Sequence, residues 1–451
     1  MSEAFPLRNQ VILLLWFYYT MLDIKFIREN KKLVQEGAHK KHIDFDVEKL
    51  LELDDKRLGL MKATENLRAE QNRTSLMIGN NLAPEQKAQL LNEMKALKED
   101  FKAQEEMLKE TMHEWQLLML QVPNIPDISV PEGESDEQNQ EIRSWGTKTE
   151  FAFEPKDHVE LMLAHDMADF ERGTKVSGFR GYFLKNDGAR LSFAIWNYAM
   201  EFFTGKGLQP MLVPSLVNRE TLFGSGYLPQ GEDDLYKTQD GDYFAGTAEV
   251  ATMAYYSGEM IDRSKLPMKF LSFSPCFRRE AGSHSKDVKG LIRVHEFFKL
   301  EQVVLGEANH AATVALHEEI NHNTEEFIES LGIPYRTVIN CGGDLGLGQV
   351  KKYDIELWVP KEGKYREISS ASYFHDFQAR RLNIRYRNEE DKLTYVHSLN
   401  STAIPTPRIL VSLIENFQQA DGSIKIPSVL HKYMGKDVIT SPTPSQAPSN
   451  N

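Results

Sequence analysis

The chain has 451 residues, 41% of them apolar, which is enough for a sizeable core and excludes wholesale disorder. Its 53 Lys and Arg against 66 Asp and Glu give a net charge of −13, which excludes a protein that coats nucleic acid through overall basicity but leaves room for a local basic site. With only Cys276 and Cys341, neither a disulfide scaffold nor a cysteine-based zinc site is expected, and a reducing compartment fits.

In chain order, the first feature is VILLLWFYY, Val11 to Tyr19, the one continuous apolar run. It falls far short of the ~20 residues that a membrane-spanning helix needs. Only Arg8 precedes it and no small-x-small cleavage site follows, so residues 1–20 read as an extension without a function of its own, with targeting or anchoring as the other reading. A cytoplasmic protein is expected. Residues 21–125 form the first predicted domain. Within it, residues 45–121 are rich in Leu, Lys, Glu and Gln. Leu90, Met94, Leu97, Phe101, Leu108, Trp115 and Leu118 follow steps of four and three, with Gln104 and Thr111 in the gaps, and this is a coiled-coil seam. Leu53, Leu60 and Leu67, with Thr64 and Gln71, form a looser first half. Pro84, after a Gly79–Ala83 interruption, suits a helix start. Two helices of about thirty-five residues, at ~1.5 Å rise each, predict an antiparallel hairpin about 50 Å long. The narrow stripe favours a projecting arm over a packed hairpin. Lys56, Arg57, Lys62, Arg68, Arg73, Lys87, Lys95, Lys98 and Lys102 are expected on its outer side, among interleaved acids.

Residues 126–144 read as a linker, and residues 145–439 as a second, mixed domain. Strand-like runs at Phe270–Phe273, Gln302–Leu305 and Tyr353–Val359 alternate with helical stretches at Ala189–Thr204, Ala311–Leu331 and Arg408–Gln419. Consecutive strands without regular crossover helices predict an α+β fold, an antiparallel sheet with helices around it. The tail, residues 440–451, is low-complexity and expected to be disordered.

Several motifs fail. No G-x-x-x-x-G-K-[S/T] loop occurs, and Gly342, Gly343, Gly346 and Gly348 miss the G-x-G-x-x-G spacing. His317 and His322 are five apart, which turns the rings away from a shared metal on a helix, so surface histidines are expected. What survives is residues 274–301, SPCFRREAGSHSKDVKGLIRVHEFFKLE. A strand ends in Phe277-Arg278-Arg279-Glu280, a polar loop comes next, and Leu291 to Glu301 returns as a strand. Arg278, Arg279, Lys286, Lys289 and Arg293 face only Glu280 and Asp287, a local charge reversal that suits an anionic ligand or, equally, a basic surface hairpin.

These residues resemble the class II seryl-tRNA synthetases of bacterial type. The resemblance covers almost all of residues 21–435: the helical arm, GLQPMLVPSLVNRETLFGSGYLP around Pro214, Thr247-Ala248-Glu249, the Arg278 hairpin, Glu367-Ile368-Ser369-Ser370, DFQARR, and Asn400 to Arg408 followed by ENFQQADGSIKIPSVL. It implies a ligase that joins serine to ATP as seryl-adenylate and then moves the seryl group to tRNA(Ser), with tRNA(Sec) a second candidate. By resemblance, Arg278, Glu367 and Arg408 are the catalytic residues, and Arg278 would hold the α-phosphate, where its planar fork suits two oxygens. Arg279, Glu280, Val294, His295, Glu296, Phe297, Ile368, Ser369 and Ser370 complete the ATP-binding positions, with Phe297 stacked on the base. Glu367 and Ser370 would hold Mg2+. Thr247, Ala248, Glu249, Glu301 and Thr402 would contact serine, where a paired hydroxyl rejects alanine or glycine by up to ~10⁴-fold. The family's arm grips tRNA, and its motif 1, around Pro214, forms a homodimer interface. No membrane association is implied.

Three departures stand out: Ser401 in place of a common Gly, Pro405 and Pro407 in the approach to Arg408, and Ala371 with Tyr373 where Cys and Asn are common. The prolines predict a strand that is peripheral there or ended by Pro407. Ala371 and Tyr373 are expected to reshape the pocket floor. Two alternatives stay open at this point: a catalytically silent RNA-binding paralogue, and a ligase for another small amino acid.

Overall fold

The computed structural model describes residues 22–78, 83–282, 287 and 289–441. The apolar run at Val11–Tyr19, most of the Gly79–Ala83 interruption, Lys286 of the basic hairpin and nearly all of the C-terminal tail lie outside the described residues. The chain divides after Ile125 into two compact units.

The first unit is helical: α1 (Ile24–Glu29), α2 (Lys31–Lys40), α3 (Val47–Ile78) and α4 (Pro84–Met119). Pro84 opens α4, where its missing N–H costs nothing. Along α4, Leu90, Met94, Leu97, Phe101, Gln104, Leu108, Thr111, Trp115 and Leu118 are all sheltered, as the stripe predicts; Met112, Gln116 and Met119 near its C-terminal end are sheltered as well. The helices run antiparallel. Gln71 donates to the Leu97 carbonyl at 2.9 Å, and the guanidiniums of Arg57 and Arg68 lie 4.6 and 5.4 Å from the ring centres of Trp115 and Phe101. Arg57 is therefore not on the outer side. It occupies the seam, paired at 2.7 Å with buried Asp54, which also holds Arg28 at 2.8 Å. The stem of an arginine packs on apolar surface as readily as a leucine does, so a charge pattern alone misplaces it.

The second unit is built on an eight-stranded sheet. Its strands are β1 (Gln140–Trp145), β2 (Gln209–Leu212), β3 (Met268–Phe277), β4 (Glu296–Gly306), β5 (Tyr335–Ile339), β6 (Lys351–Val359), β7 (Lys364–Tyr373) and β8 (His397–Thr406). They are ordered β1-β5-β6-β7-β8-β4-β3-β2. All pairs are antiparallel except β2 with β3. Helices α5 (Asn186–Gly205), α7 (His310–Leu331) and α9 (Arg408–Phe417) build the main core, while the short α6 (Ala248–Ala254) and α8 (Phe377–Leu382) contribute to a second cluster with Val303 and Leu305 of β4. The return strand begins at Glu296 rather than Leu291, because Leu291 and Val294 turn inward and are buried before pairing starts. His317 is fully buried on α7, stacked on Tyr353 at 4.7 Å and hydrogen-bonded to the Ala371 carbonyl at 2.9 Å, so only His322 of that pair is a surface residue.

The sheet is not paired along its full height. β7 and β8 pair only through Ala371–Tyr373 and Leu399–Ser401, although both strands continue beyond that zone. There they splay. Pro405 lies in the splayed part, opposite Lys299 of β4 on its other side, so its missing N–H breaks no rung toward β7, and β8 ends at Thr406 just before Pro407. Among the described residues no helix is long and apolar enough to cross a membrane.

Candidate active site

Alternation along β3 and β4 sorts their side chains onto two faces. Ser272, Ser274 and Cys276 pair with Glu301, Lys299 and Phe297, placing this set on one face. Phe298 points to the other, against Trp196 and Phe273 with ring centres 5.3 and 6.1 Å away. Arg278 follows β3 on the first face. Its guanidinium lies 5.3 Å from the Phe297 ring centre and makes two long hydrogen bonds, each 3.4 Å, to the Gly246 carbonyl.

Two bulges bring further groups to that face. Between β6 and β7, Ile355 pairs with Ser369 but Glu356 pairs with Glu367, leaving Ile368 unpaired. Glu367 and Ser370, three apart, consequently share a face that strict alternation would have denied them. Between β4 and β8, Leu300 pairs with Ile404 and Glu301 with Thr402, leaving Ala403 unpaired. Thr402 and Pro405 share the face for the same reason.

The splay between β7 and β8 opens onto two adjoining hollows. One is lined by Arg278, Glu280, Val294, Phe297, Glu367, Ile368 and Arg408. The other, of about 340 Å³, is lined by Tyr227, Glu249, Glu301, Ser370 and Asn400 among others, a size usual for a small-molecule site. Arg278, Lys299, Glu367 and Thr402 line both. In the first hollow, Arg408 donates to the carbonyls of Ile292 and Glu367 at 2.9 and 3.1 Å. Burial lowers its pKa and the charges of Arg278 and Arg293 add to this, against Glu367 and Glu280. Glu280 is itself ion-paired to Arg293. A buried guanidinium whose proton affinity its cationic neighbours depress marks a place that an anion would relieve.

In the second hollow the carboxylates dominate. Glu301 accepts from Lys299 at 2.6 Å and from the Thr402 hydroxyl at 3.3 Å. Glu249 accepts from the Tyr227 hydroxyl at 3.1 Å and the Gln378 amide at 2.6 Å. Burial pushes the Glu249 carboxyl up to about 7, and the neighbouring Glu301 charge adds to the shift. One face of a small cavity therefore reads cations and hydroxyls, and the hollow beside it reads phosphate-like anions.

Both units of the chain match known protein families. Residues 21–126 match the model of the seryl-tRNA synthetase N-terminal domain, and residues 236–417 match the tRNA synthetase class II core domain (G, H, P, S and T). The chain is 44% identical to a serine–tRNA ligase of Deinococcus radiodurans over 94% of its own length and 100% of that protein. It belongs to the seryl-tRNA synthetase family. The seryl-tRNA synthetase of Pyrococcus horikoshii complexed with ATP superposes with a TM-score of 0.86 at 38% identity, over 94% of this chain and 100% of that one. The cytoplasmic serine–tRNA ligase of Naegleria fowleri in complex with AMP gives 0.81 at 31%, with the same coverage.

Against this family background, the expected residues divide by position. Arg278, Glu367 and Arg408 line one hollow together, with Glu280, Val294, Phe297 and Ile368. Glu249, Glu301, Thr402 and Ser370 line the other. Thr247 and Ala248 are buried beneath it; the Thr247 hydroxyl caps α6 by accepting from the Glu249 N–H at 3.2 Å. Ser369 turns to the opposite face and donates to the Thr402 carbonyl at 2.6 Å, a tie between the splaying strands. Arg279 is exposed and bonded to the Asp233 carbonyl, while His295 and Glu296 line a separate apolar cavity behind the sheet. Sequence reasoning missed Lys299, Tyr227 and Gln378. Period-two alternation between Phe297 and Glu301 would have found Lys299; the other two come from distant segments and carry no local signal.

Of the departures, Pro405 and Pro407 line the first hollow, and the others line neither. Ala371 and Tyr373 face away from both hollows: Ala371 packs with Ile339 and Tyr353, and the Tyr373 hydroxyl donates to Asp127 at 2.7 Å. Ser401, fully buried, also lines neither hollow.

For a divalent cation, the relevant donors are the Glu367 carboxylate and Ser370 hydroxyl, brought to one face by the Ile368 bulge, with Asp354 paired opposite Ser370. Among the described residues no group of three or more His, Cys, Asp or Glu is arranged to enclose a metal. Magnesium asks for less: one or two carboxylates, with waters and substrate phosphates completing its shell, and this hard-oxygen pair fits.

Proposed function

We propose that the protein is a serine–tRNA ligase, which activates L-serine with ATP and transfers it to the 3′-terminal ribose of tRNA(Ser). The observation that carries the reading is Arg278, which lines both hollows. A guanidinium there reaches an α-phosphate on one side and the serine carboxylate on the other. The carboxylate oxygen attacks the α-phosphorus, a mixed anhydride forms and pyrophosphate leaves. No enzyme nucleophile is needed, so catalysis comes from holding two anions together and stabilising the charge between them. Glu249 would take the serine ammonium, and Glu301 with Thr402 the side-chain hydroxyl. Arg408 would neutralise the terminal phosphates, and Phe297 would stack on adenine. Glu367 and Ser370 would hold Mg2+, which supplies charge neutralisation at the phosphates. In the second step the ribose hydroxyl attacks the serine carbonyl and AMP leaves.

Residues 21–125 serve as the tRNA-binding arm and residues 145–439 as the catalytic domain in this reading; residues 126–144, expected as a linker, belong to the second unit and supply most of its edge strand β1. Scattered Lys and Arg on the arm suit shape and phosphate recognition of RNA. A homodimer is supported by the edge strand β2, whose outer side has no partner strand among the described residues and whose Leu212 is 82% exposed, and by Phe193 of α5 at 61%. Two free, buried cysteines suit a cytoplasmic setting. The decisive assay is amino-acid-resolved ATP–pyrophosphate exchange followed by charging of tRNA(Ser) and tRNA(Sec). Exchange with serine in strong preference to alanine, glycine and threonine is expected; absence of serine-dependent exchange would overturn the reading.

A further inference from the structure

Glu249 is gripped by a group that lines neither hollow. Gln378, on α8, is 1% exposed and donates from Nε2 to Glu249 Oε1 at 2.6 Å and to the Ser225 carbonyl at 3.1 Å. Its Oε1 accepts from the Ser398 hydroxyl of β8 at 2.7 Å. Only this orientation of the amide works. Turned over, its oxygen would face a carboxylate and a carbonyl, two acceptors. Ser398, Gln378 and Glu249 thus form a directed relay from the sheet to the pocket, and Tyr227 closes the carboxylate from the other side at 3.1 Å.

We propose that Gln378 is a positioning residue for amino-acid recognition, fixing the Glu249 carboxylate with its remaining lone pairs toward the hollow and holding it charged for the substrate ammonium. The proposal rests on the reading of Glu249 as the ammonium contact. The charged and titratable groups around Glu249 are Glu301, which repels it, Lys299 and Tyr227, which with Gln378 support its ionised form, and the Arg278 guanidinium that lines the same hollow. Of the supporting groups only the Gln378 amide is neutral at every pH, so its contribution is not subject to titration.

The test is Gln378→Met, close in shape but without a donor, assayed by pyrophosphate exchange between pH 6 and 9. The serine KM should rise about tenfold or more, the loss expected for a hydrogen bond to a charged group, while the ATP KM stays unchanged. The pH below which the serine KM climbs should move upward. A merely structural role would not move that midpoint. Ser398→Ala, which releases the amide oxygen but keeps Gln378, should show a smaller effect in the same direction. If Gln378→Met melts early and both KM values shift, the Ser398→Ala profile decides: a native serine KM and midpoint overturns the proposal. Glu249→Gln separates the two levels. A native serine KM in Glu249→Gln overturns the ammonium reading and the proposal with it; a weakened Glu249→Gln beside a native Gln378→Met overturns the proposal alone.

Discussion

Two carboxylates, Glu249 and Glu301, share one small buried pocket, and they are treated differently. Glu301 has a cation at 2.6 Å, whereas Glu249 has only neutral donors. Burial and the Glu301 charge therefore raise Glu249 to about 7 from an ordinary 4.5. For a raised carboxyl, the native state binds the proton more tightly than the unfolded chain. Its contribution to stability is present below 4.5 and is lost as pH rises through about 7. Serine binding has the opposite sign, since an ammonium needs the ionised form. The serine KM of the native enzyme should accordingly be flat above about pH 7 and rise about tenfold per unit below it, with the ATP KM much less affected. Exchange kinetics across pH 6 to 9 check this, and a flat serine KM down to pH 6 would contradict it. At this scale the sequence discloses residue types better than their surroundings. Arg278 and Glu301 stand in a compact segment whose charge reversal is visible, but Arg57 in the helical seam and His317 under Tyr353 look like surface residues until their packing is seen.

Helices and strands differ in what their patterns reveal. All nine positions of the α4 stripe are sheltered, because a 3.5-residue repeat is redundant over nine positions and survives Gln104 and Thr111, while Met112, Gln116 and Met119 near the helix end are sheltered outside it. The bulges at Ile368 and Ala403 are invisible, since a single unpaired residue leaves no mark in composition or period. Their effect is large nonetheless: the Glu367–Ser370 and Thr402–Pro405 pairings depend on them. The outer side of the arm yields a prediction of its own. Lys87, Lys95 and Lys98 of α4 are exposed. Replacing all three with Ser should lower kcat/KM for tRNA charging and flatten its salt dependence, by a log–log slope of up to roughly 0.7 per lost contact. Serine-dependent pyrophosphate exchange should not change. Filter binding and charging at several salt concentrations check it.

For the molecule as a whole, a net charge of −13 coexists with guanidiniums gathered in one hollow and lysines along one helix, so the overall balance says little about the ligands. The α+β layout and antiparallel sheet are legible in the consecutive strand-like runs; the parallel pairing of β2 with β3 is not, because β2 is four residues long and mostly exposed. Its exposure carries the last prediction. Leu212→Glu should halve the mass seen in sedimentation equilibrium if β2 lies in a self-association surface, and a dimer of unchanged stability would refute that assignment. The parting of β7 from β8 has a mechanical consequence as well. Over that stretch the strands are joined by a side-chain tie, the Ser369 hydroxyl on the Thr402 carbonyl, where main-chain rungs would otherwise run, so the sheet has a seam there that can give without any backbone pairing being broken.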